Sequence, residues 1–156
     1  MDLEKRLREL RLEPPLVTPP LAAYVPATFC GDLIHVSGQL PLRKGALLFQ
    51  GSVPDAVTVE QAQLAARQCF LNGLAAAASV AGGWDYLRRL VQMNGFVQCG
   101  AGFTGQPQVI NGASELALEL MGDAGRHARV AVGVSSLPMA APVEISFVFQ
   151  SISAVG

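Results

Sequence analysis

Toward the carboxyl end, residues 129–134 and 143–149 carry branched or aromatic side chains at every second position: Val130, Val132 and Val134, then Val143, Ile145, Phe147 and Phe149. That period of two predicts two strands, each with one apolar face. Residues 90–99 alternate in the same way, with Val91, Met93 and Val97 on one parity and Gln92, Asn94 and Gln98 on the other. Earlier strands are expected at 24–30, at 33–37 after a Gly31-Asp32 turn, and at 46–50 between two glycines. Helical spacing takes over from Thr58, where Gln61 completes a capping box, and continues through Ala62, Ala66, Cys69, Phe70 and Ala77 to Gly82-Gly83. A second long helix is predicted over 109–121, ended by Gly122 and Gly125, and a short charged one over 2–11 before Pro14-Pro15 and Pro19-Pro20.

The order helix, two or three strands, helix, strand, helix, two strands predicts an α+β layer, with the two longer helices on one face of the sheet. The other face is expected to hold Gln92, Asn94, Gln98, Arg129, Glu144, Ser146 and Gln150 together with Phe96 and Val148. That mixture suits neither a core nor open water, so a symmetric homo-oligomer is expected to bury it, with ligand pockets between subunits. The chain divides into a helix and proline-rich lead-in over 1–20 and one domain over 21–156.

Arg129 and Glu144 take the parity opposite to the apolar residues of their strands. A charge on an apolar strand is costly unless something pairs with it. Two of opposite sign suggest a polar pocket in which a guanidinium grips a carboxylate through two parallel bonds.

Composition narrows the function. A net charge of −1, with no Lys/Arg cluster, argues against nucleic acid as a partner. No apolar run reaches the roughly 18–20 residues of a membrane span, and the start is amphipathic with no secretory pattern. Three cysteines without metal spacing and two histidines make a metal site poor and fit a reducing, cytoplasmic setting.

Ser37-Gly38-Gln39-Leu40-Pro41, Arg129, Leu137-Pro138 and Val143-Glu144-Ile145, with Tyr24 thirteen residues before Ser37, resemble the Rid superfamily of reactive intermediate deaminases, also called the YjgF family. The likeness runs from about residue 20 to 151. The longer amino-terminal segment, the insertion-like 100–107 and the stretch 125–129 resemble a longer, less characterised branch. The resemblance implies a chorismate-mutase-like subunit in a homotrimer with sites between chains. It also implies hydrolysis of 2-imino acids or their enamine tautomers to 2-keto acids and ammonia, with no metal or organic cofactor.

On that reading Arg129 clamps the substrate carboxylate, and Glu144 holds the attacking water and relays a proton. Ser37 reaches the imine or the water, Tyr24 closes the pocket, and the backbone carbonyl of Ala131 adds a contact. Plainer readings stand beside these: a salt bridge for Arg129, an ion pair for Glu144, a turn cap for Ser37 and simple packing for Tyr24. Asn111 reads as a helix N-cap, and His127 as either a polar loop residue or an acid/base. Cys30 and Cys99 read as small apolar packing. The imine-hydrolysing branch usually has Pro and Ser or Thr where this chain has His127 and Val130, which leaves substrate identity open. The alternative is a non-catalytic, regulatory trimer binding keto acids in the same cleft.

Overall fold

The computed structural model describes residues 2–17 and 23–152. Pro19 and Pro20, expected to lead out of the first helix, lie outside the described residues. Helix α1 (Leu3–Glu9) is capped by Asp2, whose carboxylate accepts from the Lys5 amide at 2.9 Å. It buries Leu3 and Leu7, four residues apart and so on one face.

Strands β1 (Ala27–Cys30) and β2 (Leu33–Gln39) form an antiparallel pair. The first begins three residues later than the alternation predicts. Pro26 has no N–H to give, and its carbonyl accepts from the Ser37 amide at 2.9 Å. The strand expected over 46–50 is shorter and separate: β3 (Leu42–Arg43) and β4 (Ala46–Leu47) make a small hairpin outside the main sheet.

Helix α2 (Val59–Ala81) opens on the predicted capping box, with Gln61 N–H to Thr58 Oγ1 at 3.2 Å and Thr58 N–H to Gln61 Oε1 at 3.0 Å. Gly82 ends it in the left-handed region, at φ 88°. After it come β5 (Leu87–Gln98), α3 (Gln106–Met121), β6 (Ala128–Val134) and β7 (Val143–Ser151). Helix α3 starts three residues earlier than its apolar repeat suggests, because Pro107 fits the first turn, where no amide proton is needed.

The main sheet runs β1-β2-β7-β5-β6, antiparallel throughout except for β5 and β6. A parallel pair needs a crossover, and α3 supplies it. Helices α2 and α3 cover one face as expected and sit close because small residues line their contact. A Cβ on Gly112 would collide with the Gln63 backbone, and one on Gly73 with the Phe147 ring. Phe70, Phe147 and Phe149 cluster at the centre, with ring centroids 5.8–6.3 Å apart.

The other face departs from expectation at one strand. In β5 and β7 the apolar parity points to the helices, leaving Gln92, Asn94, Phe96, Glu144, Ser146 and Val148 on the open face. In β6 the parity is inverted. Val130 and Val132 pair with Asn94 and Phe96 on the open face and are 48% and 40% exposed. Arg129 pairs with Met93, which pairs with Phe147, so that row faces the helices. Arg129 therefore does not lie on the open face with Glu144.

Candidate functional site

Arg129 sits on the edge strand under the flank of α3. Its Nη1 donates to Asn111 Oδ1 at 2.8 Å and to Ser114 Oγ at 3.1 Å. Asn111 is thus a mid-helix residue that braces the guanidinium; Gly105 takes the N-cap position instead. Ser114 escaped the sequence reading. Its signal was positional: Asn111 and Ser114 are three apart, one polar stripe on a helix whose neighbours Val109, Ile110, Ala113, Leu116 and Ala117 are all buried.

Behind Ser114 stands His127. Its Nδ1 lies 2.6 Å from the Gly125 carbonyl, and its Nε2 lies 3.1 Å from Ser114 Oγ. Burial above all lowers its pKa; the bond to Gly125 opposes that, and the Arg129 charge adds a little to the lowering. His127 is therefore neutral near neutral pH. A carbonyl can only accept, so the single ring proton is on Nδ1 and Nε2 accepts from the serine hydroxyl.

Two protein bonds use both protons of Nη1. Among the described residues Nε and Nη2 have no protein partner, and no carboxylate pairs with the guanidinium. A half-buried arginine without an acidic partner, offering a free Nε–Nη2 edge, matches the geometry of an incoming carboxylate.

Glu144 occupies the other face. It sits beside Phe96 in the sheet, and its carboxylate lies against Gly38, where any Cβ would collide with it. Gly38 belongs to a bulge between Val36 and Gln39, so the strand gives way where the acid needs room. No hydrogen bond or ion pair from a described residue reaches Glu144, and burial raises its pKa. Buried Cys69 is pushed up too, by its own burial first and then by the Glu144 charge.

Ser37, in the same bulge, donates to the Val25 carbonyl at 2.7 Å, which ties down the segment carrying Tyr24. Tyr24 is 55% exposed and, with Gly38, Gln39, Gln68 and Asn72, lines a cavity of about 600 Å³ that residues 13–17 help to wall. Ala131 lies two residues past Arg129 on the edge strand, paired with Gly95. Cys99 takes a weak contact from Gln106 Nε2 at 3.6 Å, and Cys30 is exposed. Among the described residues, no group of three His, Cys, Asp or Glu side chains could hold a metal ion. No helix there is long and apolar enough to cross a membrane.

The candidate residues thus fall into two separate groups. Arg129 with Asn111, Ser114 and His127 forms one; Glu144 against Gly38 forms the other, with Ser37 next to Gly38 in the bulge and Tyr24 on the cavity that Gly38 also lines. Two inter-strand spacings and three residues separate Arg129 from Glu144, roughly 14 Å along the sheet, on opposite faces. Within one chain they cannot close on one small molecule.

Two helices on one face of a mixed five-stranded sheet, whose lone parallel pair is joined through a helix, define a chorismate-mutase-like α+β subunit. Three comparisons agree. The protein TCP17 of Trypanosoma cruzi is 39% identical over 140 residues, 89% of this chain and 88% of that one. A crystal structure from Agrobacterium tumefaciens, described as of unknown function, is 43% identical with a TM-score of 0.86, covering 97% of this chain and 94% of that one. One from Shewanella oneidensis, bearing an endoribonuclease label, is 29% identical with a TM-score of 0.91, covering 95% and 98%. Residues 4–151 match the family model described as "YjgF/chorismate mutase-like, putative endoribonuclease", and the chain belongs to that family within the YjgF/Rid superfamily.

Proposed function

We propose that this protein hydrolyses reactive 2-imino acids or their enamine tautomers to 2-keto acids and ammonia, at sites shared between neighbouring subunits of a homotrimer. The observation that carries the reading is the pair of unpaired charges. Arg129 and Glu144 are each half-buried, each lacks an ionic partner among the described residues, and they lie on opposite faces of one sheet. A half-buried charge without a partner is costly. A second copy of the chain, docked on the open face and the free edge of β6, can supply Arg129 of one subunit to the Glu144 side of the next. The exposed Val130 and Val132 beside Phe96 give that contact its apolar area.

In such a cleft the free edge of Arg129 takes the substrate carboxylate and sets the plane of the adjoining C=N bond. Glu144, kept basic enough by burial to take a proton, removes one from water as its oxygen bonds to the imine carbon. That proton passes to nitrogen, giving a carbinolamine; Glu144 then takes the remaining hydroxyl proton and hands it to the amine, so C=O forms as the C–N bond breaks and ammonia leaves with the keto acid behind. On this reading Gly38 leaves room beside Glu144 for the water, and Tyr24 closes the neighbouring cavity. No cofactor enters this balance, since neither oxidation nor reduction occurs.

Nucleic-acid cleavage, the label some relatives carry, finds less support. The described ion pairs of Arg6, Arg8, Arg67 and Arg126 join basic side chains to acidic neighbours instead of leaving them along a groove.

The test is complementation. With an imine generated in situ by an amino-acid oxidase, Arg129→Ala and Glu144→Gln homotrimers are expected to be inactive. Co-expressed in equal amounts, the two variants recover about a quarter of wild-type activity, since each shared site draws one residue from each of two chains. Absence of wild-type turnover across several amino-acid precursors overturns the deaminase reading. Pyruvate binding that persists in Glu144→Gln without turnover in the wild type would favour the regulatory binding trimer instead.

A further inference from the structure

We infer that Ser114 and His127 act as positioning residues, a strut that fixes which edge of the Arg129 guanidinium is presented to a carboxylate. The inference deepens the proposed site and rests on Arg129 being its anion clamp.

With the His127 ring neutral, the bonding follows from which neighbours can only accept. Gly125 offers only a carbonyl to Nδ1, so the ring proton sits there; Nε2 then takes the Ser114 hydroxyl proton, and the serine oxygen keeps its lone pairs for Arg129 Nη1. Asn111 Oδ1 takes the second proton of Nη1. The guanidinium is thereby held at one nitrogen from two directions. The end-on Nη1–Nη2 edge is blocked, and the side-on Nε–Nη2 edge is left for the ligand. Without the strut, Nη1 keeps Asn111 alone and the fork can rotate, so both edges compete and part of the preorganisation is lost.

His127 also explains how a serine can serve here. A lone hydroxyl could turn its proton toward the arginine; with Nε2 as a fixed acceptor it cannot. The other close neighbour of the hydroxyl is Met93 Sδ at 3.8 Å, a far weaker acceptor.

Two measurements decide the matter. The first needs no ligand: nitrogen NMR of Arg129 in the intact protein is expected to show slowed guanidinium rotation with resolved Nη signals, and His127 as the Nδ1-protonated tautomer. Ser114→Ala should collapse the resolved Nη signals. Unchanged signals in Ser114→Ala, or an Nε2-protonated ring in the wild type, overturn the strut. The second uses pyruvate as probe: Ser114→Ala and His127→Phe should each weaken binding about tenfold, equal to one modest hydrogen bond's worth of positioning. Arg129→Ala should abolish binding. Affinity unchanged in Ser114→Ala while Arg129→Ala abolishes binding also overturns the strut. Affinity unchanged in Arg129→Ala overturns the clamp reading instead, and the NMR result still judges the strut.

Discussion

Strands β6 and β7 are written in the same alternating pattern and are used in opposite ways. In β7 the apolar parity, Val143, Ile145, Phe147 and Phe149, is buried to within 1% exposure, and the polar parity faces away from the helices. In β6 the valines face outward, and the helix side holds Arg129 and Ala131. The difference comes from what lies above each strand. Over β7 is α2, rich in alanine and bearing Phe70, which gives an inserted charge no partner. Over β6 is the flank of α3, where Asn111 and Ser114 supply two acceptors for one guanidinium. A polar stripe on a helix can thus draw a charge onto the inner face of an edge strand and leave the strand's apolar face exposed.

Substitutions sharpen that contrast. Phe147→Ala, in the inner row of β7, should cost the most, about 3–5 kcal/mol of subunit stability, because it empties the centre of the aromatic cluster. Chemical denaturation measures it, and a loss under about 1 kcal/mol would mean the cluster is not the keystone of the core. Val132→Asp, in the outer row of β6, should change subunit stability by only about 0.5 kcal/mol yet prevent assembly, since the charge needs water on that face. Sedimentation reads the assembly; a trimer that survives Val132→Asp would show that β6 is not part of the interface.

The smallest effect comes from Glu144→Gln in the dissociated Val132→Asp background. Burial raises the folded-state pKa of Glu144 above its unfolded value. The carboxyl's contribution to stability is therefore complete below the unfolded pKa and is lost as pH rises through the folded one. Gln avoids that loss, so the variant should melt slightly higher than its parent at about pH 7.5 and alike at about pH 4. In the assembled protein the sign should reverse, because an arginine from the next subunit then favours the charge. A gain that persists on assembly would mean that no arginine faces Glu144.

Other elements show how far local pattern carries. The capping box at Thr58 and Gln61 was readable because both partners are three residues apart and need nothing else in the fold. The helix-covered sheet was readable from the order of periods. The third strand was less so: Ala46–Leu47 pairs only with Leu42–Arg43, and a glycine-flanked apolar run does not reveal which sheet it joins. Asn111 looked like a cap because asparagine usually is one. Only the crossover that brings α3 beside β6 puts Arg129, 18 residues away, at its side chain.

Local pattern along the chain determined which residues share a face, where α2 begins, and that Arg129 and Glu144 each stand apart from their apolar neighbours, since these depend on contacts within a few residues. Which face of β6 is inside, and hence that the two charges are divided between opposite sides of the sheet, was decided by tertiary packing. The physical reason is that a period of two is symmetric: it separates two faces without labelling either, and only the layer laid against a strand makes one of them the interior.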